Sequence, residues 1–233
     1  DLMSAAGLQI WQFLPLGPTH ADCCPYQSIS VHAGNADLID LQWLVDKGWL
    51  TTLEAHAGHQ TPRALRQALN QASKVFFAEL ASATDSPLAA AYEGFLTQTD
   101  YWLEDYVRFQ AFRDDLARQP WTSWPEPLRR CDQSACDALA EKLGGQLNAL
   151  RFRQFVFHSQ WNELRQYAHE RDILLFGDIP IYVHLESADV WSHQSQFDLD
   201  ESGQPITVTG VPPDYFSEDG QLWGNPLYDW SFH

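Results

Sequence analysis

Asp178, Asp214, Tyr215, Phe216, Trp223 and Asn225 lie in one stretch, Ile173 to Trp230, that mixes carboxylates and an amide with large flat rings. Carboxylates and amides bond hydroxyl groups, and aromatic faces take C–H faces for the same polarity reasons that they take cations. Pro212, Pro213, Gly220, Gly224 and Pro226 punctuate the stretch, so these side chains are presented on a restrained backbone with little entropy left to lose on binding. The combination suits a sugar. Each residue also has a plainer reading: Asp178 as the cap of a loop amide, and one of Asp214, Tyr215 and Phe216 as part of a packed turn.

These groups need elements to position them. Ile173–Phe176 is a short apolar run that reads as a strand buried on both faces, and Pro180 ends it near Asp178, whose carboxylate then sits at the strand's C-terminal rim. That rim is where parallel α/β folds place their chemistry. Ile10–Leu16, closed by Pro15, Gly17 and Pro18, reads as a second strand after a helix tail at Leu2–Gln9. Thr19–Asp40 reads as a structured loop facing the substrate.

Helical spacing follows: a short helix near Leu41–Lys47, a longer one over Thr61–Ala81 capped by Thr61 and Pro62, another from Ser86 and Pro87, and another over Asp100–Arg118. Pro120, Pro125 and Pro127 make a rigid connector with Trp121 and Trp124 as packing anchors. Ala135–Arg171 reads as one or two helices with a break at Gly144 and Gly145, feeding the strand at Ile173 as a crossover helix does. The two strands are therefore expected to be parallel neighbours. Phe197–Leu199 and Ile206–Val208 flank DESGQP as a small hairpin, and Gly220 to Tyr228 reads as a loop.

With 14 Lys plus Arg against 31 Asp plus Glu, the net charge of −17 argues against nucleic acid or anionic membrane as a partner, and a neutral ligand is indifferent to it. No apolar run approaches the ~20 residues of a membrane span, and the first residues lack the basic start and apolar core of a signal peptide. Cys23, Cys24, Cys131 and Cys136 lack zinc-site spacing and read as reduced thiols, which favours a cytoplasmic setting. Asp198, Asp200, Ser202 and Gly203 imitate a calcium loop, but Thr209 stands where a glutamate is required and Pro205 interrupts. His184, Glu186 and His193 read as surface polar residues, not metal ligands. Asp1 in place of an initiator Met suggests a segment of something longer.

The strings GDIPIYV, SADVW, GVPPDYFS and GQLWGNPLY resemble those of the amylomaltase, or disproportionating-enzyme, family of 4-α-glucanotransferases, and WQFLPLGP, PYQS, AGN, LIDL and WPEPLRR match in the same order. The resemblance implies an α/β fold, a portion of a (β/α)8 TIM barrel with a mostly helical insertion between two barrel strands. Residues 1–18 would be barrel strand and rim, 19–150 loop and helical insertion, 151–184 crossover helix and strand, and 185–233 a substrate-loop insertion.

It implies α-1,4-glucan substrates (maltodextrin, maltose, a glucose acceptor), no cofactor, and glucan contacts at Tyr26, Asp178, Asp214, Tyr215, Phe216, Trp223 and Asn225. For Tyr26 the plainer reading is a hydroxyl satisfied by loop backbone. Where the family commonly writes TGYGDSPYQS, this chain has Ala21 for an aromatic and Cys24 for a serine, which weakens an outer glucan contact.

A retaining transfer uses a carboxylate nucleophile and a carboxylic acid/base about 5 Å apart. The family's RIDHFRG-like and EDLG-like strings, which carry that pair, are not among these 233 residues. The alternative is a non-catalytic glucan-binding protein or remnant. An RIDHFRG-like continuation of the reading frame past His233 separates the two.

Overall fold

Helix dominates the chain, as the apolar spacing requires. The computed structural model describes residues 1–232 and runs α1 (Leu2–Ala5), β1 (Ile10–Gln12), α2 (Leu41–Asp46), α3 (Thr52–Gly58), α4 (Pro62–Ser82), α5 (Pro87–Gln98), α6 (Leu103–Asp115), α7 (Glu126–Arg129), α8 (Gln133–Lys142), α9 (Gly144–His169), β2 (Leu174–Phe176), α10 (Ala188–Ser192), β3 (Val208–Val211) and β4 (Gln221–Pro226). The helix starts have local causes. Thr61, Ser86 and Asp132 each accept a hydrogen bond from a first-turn N–H of the helix they precede, and proline follows Thr61 and Ser86. Thr51 and Glu54 form a reciprocal capping box that starts α3, a helix the spacing alone did not reveal.

The chain forms two compact units, the first from residues 1–16, 33–104 and 144–178, the second from residues 17–32, 105–143 and 179–233. In the first, β1 and β2 pair in parallel with Ile10 opposite Leu174 and Gln12 opposite Phe176, so the expected parallel neighbours are present. The expected burial on both faces is not. Ile10 is 60% exposed and both Leu174 and Phe176 are 59% exposed, because a ladder of two three-residue strands has too little area to cover its own faces.

The core of this unit lies instead between helices. Phe76 on α4 meets Trp49, Tyr92, Phe152 and Phe155 at ring-centroid distances of 5.0–5.4 Å. Gln154 of α9, 1% exposed, accepts from the Gly34 N–H at 2.8 Å and donates to the Gly34 carbonyl at 2.9 Å, and Gln160 does the same for Asp40 at 2.9 and 3.0 Å. Two amides thus satisfy loop backbone that has no other ladder to join. Gly34 is required there, since a side-chain carbon would overlap the Phe157 ring.

In the second unit Trp121 and Trp124 are buried, as expected of anchors; Trp124 packs with Phe109, Phe112 and Trp191 of α10, and the Trp121 indole lies against Gly203 and donates to the Leu185 carbonyl at 2.7 Å. The hairpin expected at DESGQP is only a turn closed by one bridge, Leu199 to Pro205. Asp200 Oδ1 accepts from Ser202 N–H, Ser202 Oγ and Gln204 N–H at 2.6–3.0 Å, which explains the calcium-like spelling as an Asx turn. The true ladder is formed by β3 with β4, a segment whose prolines and glycines had suggested a loop.

Candidate functional site

The β3–β4 ladder is antiparallel, with Val208 opposite Pro226, Gly210 opposite Leu222 and Val211 opposite Gln221. Backbones pass so close at Gly210 that a side-chain carbon would stand 2.7 Å from the Gln221 carbonyl oxygen. The connecting turn is built by Asp214, whose Oδ1 accepts from the N–H groups of Phe216 and Ser217 at 2.9 and 2.8 Å, while Ser217 Oγ donates to the Gly220 carbonyl at 2.6 Å. Gly220 closes it at φ +74°, where a larger residue would be strained and would also strike the Val211 carbonyl.

Tyr215 and Phe216 stand on this turn 97% and 89% exposed, nearly perpendicular at 5.5 Å. Backbone hydrogen bonds, and not burial, hold this aromatic pair in water.

Trp223 and Asn225 lie on β4 and differ in role. Trp223 is 42% exposed and its indole N–H donates to Gln221 Oε1 at 3.1 Å. Asn225 is 6% exposed and spends Nδ2 on the Val183 carbonyl at 3.0 Å, so its amide faces protein backbone. Tyr26 is exposed on a loop closed by an antiparallel bridge between Thr19 and Ser28. The hairpin thus gathers Asp214, Tyr215, Phe216, Trp223 and Asn225. Tyr26 shares their unit on a separate loop, and Asp178, two residues beyond β2, closes the other unit.

Sequence reasoning passed over a half-buried polar cluster in the second unit and left His184 and Glu186 as surface residues. The His184 ring instead lies 4.4 Å from that of His20, its Nδ1 accepts from the Glu186 N–H at 3.0 Å, and Arg113 Nη2 is 3.4 Å from His20 Nδ1. Glu186 accepts in turn from the Trp121 N–H at 3.1 Å. Residues drawn from three distant parts of the chain leave no spacing signal.

Burial, then the charges of His184 and Arg113, push His20 down to about 4, against a smaller upward pull from Asp22. Between that value and the ordinary ~6.5 the unfolded chain binds a proton that folded His20 does not. Stability is therefore expected to fall as pH drops from about 6.5 towards 4, and His20→Gln should remove a part of that slope on the order of 1 kcal/mol, discounted for solvent screening at a partly exposed site. Urea midpoints of the two proteins at pH 7 and pH 5 check this. Glu186 and Asp189, both raised by burial, act in the opposite sense and are common to the two proteins.

A half-open cavity of about 520 Å³ in the first unit is lined by Trp11, Phe13, Trp43, Trp161 and Leu175 among others, and includes none of the seven expected contact residues. Its polar groups are already engaged: the Trp43 indole donates to Glu163 at 2.8 Å and the Gln160 amide serves Asp40. Among the described residues no group of three or more His, Cys, Asp or Glu is placed to hold a metal, and no helix is long and apolar enough to cross a membrane.

Compared with known families, the chain falls among the glycoside hydrolases. The model of family 77, described as 4-alpha-glucanotransferase, matches residues 1–233, and the chain belongs to that family. It is 39% identical over 240 residues to the 4-alpha-glucanotransferase of Thermus thermophilus, covering 98% of this chain and 46% of that protein. It is 38% identical over 237 residues to that of Aquifex aeolicus, covering all of this chain and 48% of the relative. Its fold matches the amylomaltase from Streptococcus agalactiae, solved in complex with acarbose, at a TM-score of 0.90 and 32% identity, over 100% of this chain and 48% of the other. The chain spans about half the length of the curated relatives it matches.

Proposed function

We propose that this chain supplies the glucan-binding half of a 4-α-glucanotransferase, an enzyme moving α-1,4-glucan segments between maltodextrins by a retaining double displacement. The observation that carries this reading is the hairpin of a family 77 chain holding Tyr215 and Phe216 almost wholly in water, with Trp223 half-exposed on its β4 strand. In this reading β1 and β2 are two strands of a (β/α)8 barrel with the helices of residues 19–150 inserted between them, and Asp178 and Tyr26 take sugar hydroxyls. Asp214 shapes the turn and offers its carboxylate at the tip. The Pro212–Trp223 segment covers bound glucan so that water is excluded until an acceptor sugar arrives. Maltodextrin and maltose are the glucans and glucose an acceptor, the location is cytoplasmic in keeping with four free cysteines, and neither cofactor, nucleic acid nor membrane takes part.

Two results test it. Isothermal titration with maltoheptaose is expected to show binding to the 233-residue chain that weakens roughly tenfold in Trp223→Ala, the loss of one stacking face worth about 1–2 kcal/mol, while the melting temperature changes little. Normal affinity with a sharply lower melting temperature would make Trp223 a packing residue and sink the platform reading. The chain alone is expected to produce neither glucose nor longer dextrins from maltotriose, because no nucleophile and acid/base pair is recognisable among its residues; products from a pure sample would overturn that.

A further inference from the structure

Trp223 is the half-exposed ring on β4, and its aromatic neighbour lies in the segment after β2. The ring of Tyr182 lies 6.4 Å from the Trp223 indole at 57°, and 6.2 Å from that of Tyr228 at 19°, close to parallel. The backbone on either side of Tyr182 is clamped from the same stretch of chain. Tyr228 Oη donates to the Ile181 carbonyl at 3.1 Å, and Asn225 Nδ2 donates to the Val183 carbonyl at 3.0 Å. Tyr228 is itself seated on Phe197, which is 7% exposed, at 5.4 Å and through an antiparallel bridge. A file of rings therefore runs from the buried Phe197 through Tyr228 and Tyr182 to the indole, whose remaining freedom is limited by its hydrogen bond to Gln221.

We propose that Tyr182 is a positioning residue that sets the plane of the Trp223 indole for stacking on a sugar ring, with Asn225 and Tyr228 acting as the clamps that hold Tyr182. The inference rests on the glucan reading above and reassigns Asn225 from sugar contact to clamp. An indole that hangs free must lose rotamer freedom when a sugar binds, whereas one braced by a fixed neighbour has already lost it. Affinity through Trp223 then depends on a ring that need not touch the sugar.

The 233-residue chain is produced with fluorine-labelled tryptophan, and the fluorine NMR resonance of Trp223 is identified by its loss in Trp223→Phe. In Tyr182→Ala that resonance is expected to shift and broaden without ligand, and the Kd for maltoheptaose to rise about three- to tenfold. Tyr182→Phe keeps the ring and should stay within about twofold. The double variant Tyr182→Ala with Trp223→Ala should bind no worse than Trp223→Ala alone, because effects transmitted through one residue do not add.

An unmoved resonance in Tyr182→Ala, or a double variant showing the product of both single losses, overturns the proposal. If Tyr182→Ala fails to fold, Tyr228→Phe decides: it removes one clamp while keeping both rings, and a shifted Trp223 resonance supports the proposal whereas an unchanged one refutes it. Should maltoheptaose leave the wild-type resonance where it was, the glucan reading fails at Trp223, and the ligand-free comparison still decides whether Tyr182 positions the indole.

Discussion

Trp121→Ala is expected to destabilise the second unit by about 3–5 kcal/mol, the cost of emptying a fully buried indole site that cannot collapse. The side chain is 0% exposed, and its indole N–H donates to the Leu185 carbonyl at 2.7 Å. Gly203, held at φ +83°, lies so close that a side-chain carbon there would stand 2.5 Å from the indole's outer edge. Alanine would leave both a cavity and an unpaired Leu185 carbonyl. The effect should also reach the site, because the Trp121 indole ties down Leu185, which continues the segment carrying Tyr182, whereas the bond from the Trp121 backbone N–H to Glu186 survives the substitution. Urea unfolding measures the first effect and maltoheptaose titration the second. A loss below about 1 kcal/mol would show that the Pro120–Pro127 connector is not an anchor.

Phe76→Ala is expected to cost a similar ~3–5 kcal/mol in the first unit, for a different reason. No hydrogen bond is lost; the ring is 0% exposed and sits among Trp49, Phe77, Tyr92, Phe152 and Phe155, so truncation removes edge and face contacts to five aromatic neighbours at once. Phe76→Leu, which keeps most of the volume, should cost less than half as much, on the order of 1–2 kcal/mol. Urea midpoints followed by far-ultraviolet circular dichroism read the result. Equal midpoints for wild type and Phe76→Ala would place the core of this unit elsewhere.

Much of this is legible in the order of the residues. Helix starts at Thr61 and Ser86 follow from a capping hydroxyl beside a proline, and both effects act within a single turn. The break expected at the paired Gly144 and Gly145 falls one residue earlier, at Leu143, and the two glycines open α9. Parallel pairing of β1 with β2 followed from a helix that leads straight into the second strand, since a crossover has few ways to return. The membership of family 77 was carried by ordered strings of residues, and the whole chain bears it out.

The sequence by itself determined most of the long helices, the parallel strand pair, and the inventory of rings and carboxylates available to a sugar, but neither α3 nor the β3–β4 ladder. Only the tertiary structure decided which of those groups face solvent. Asn225 and Trp223 are spelled alike as polar and aromatic members of one glycine-spaced string, yet one amide is consumed by the Val183 carbonyl and the neighbouring indole is left half in water. His20 and His184 became partners because the fold closes a distance that no local spacing records. Gln154 and Gln160 look like ordinary helix residues, and they became backbone surrogates for the loop at Gly34 and Asp40 for the same reason. Local propensity acts over a few residues and is written in their order, whereas the pairing of a buried polar group depends on what the rest of the chain brings to it.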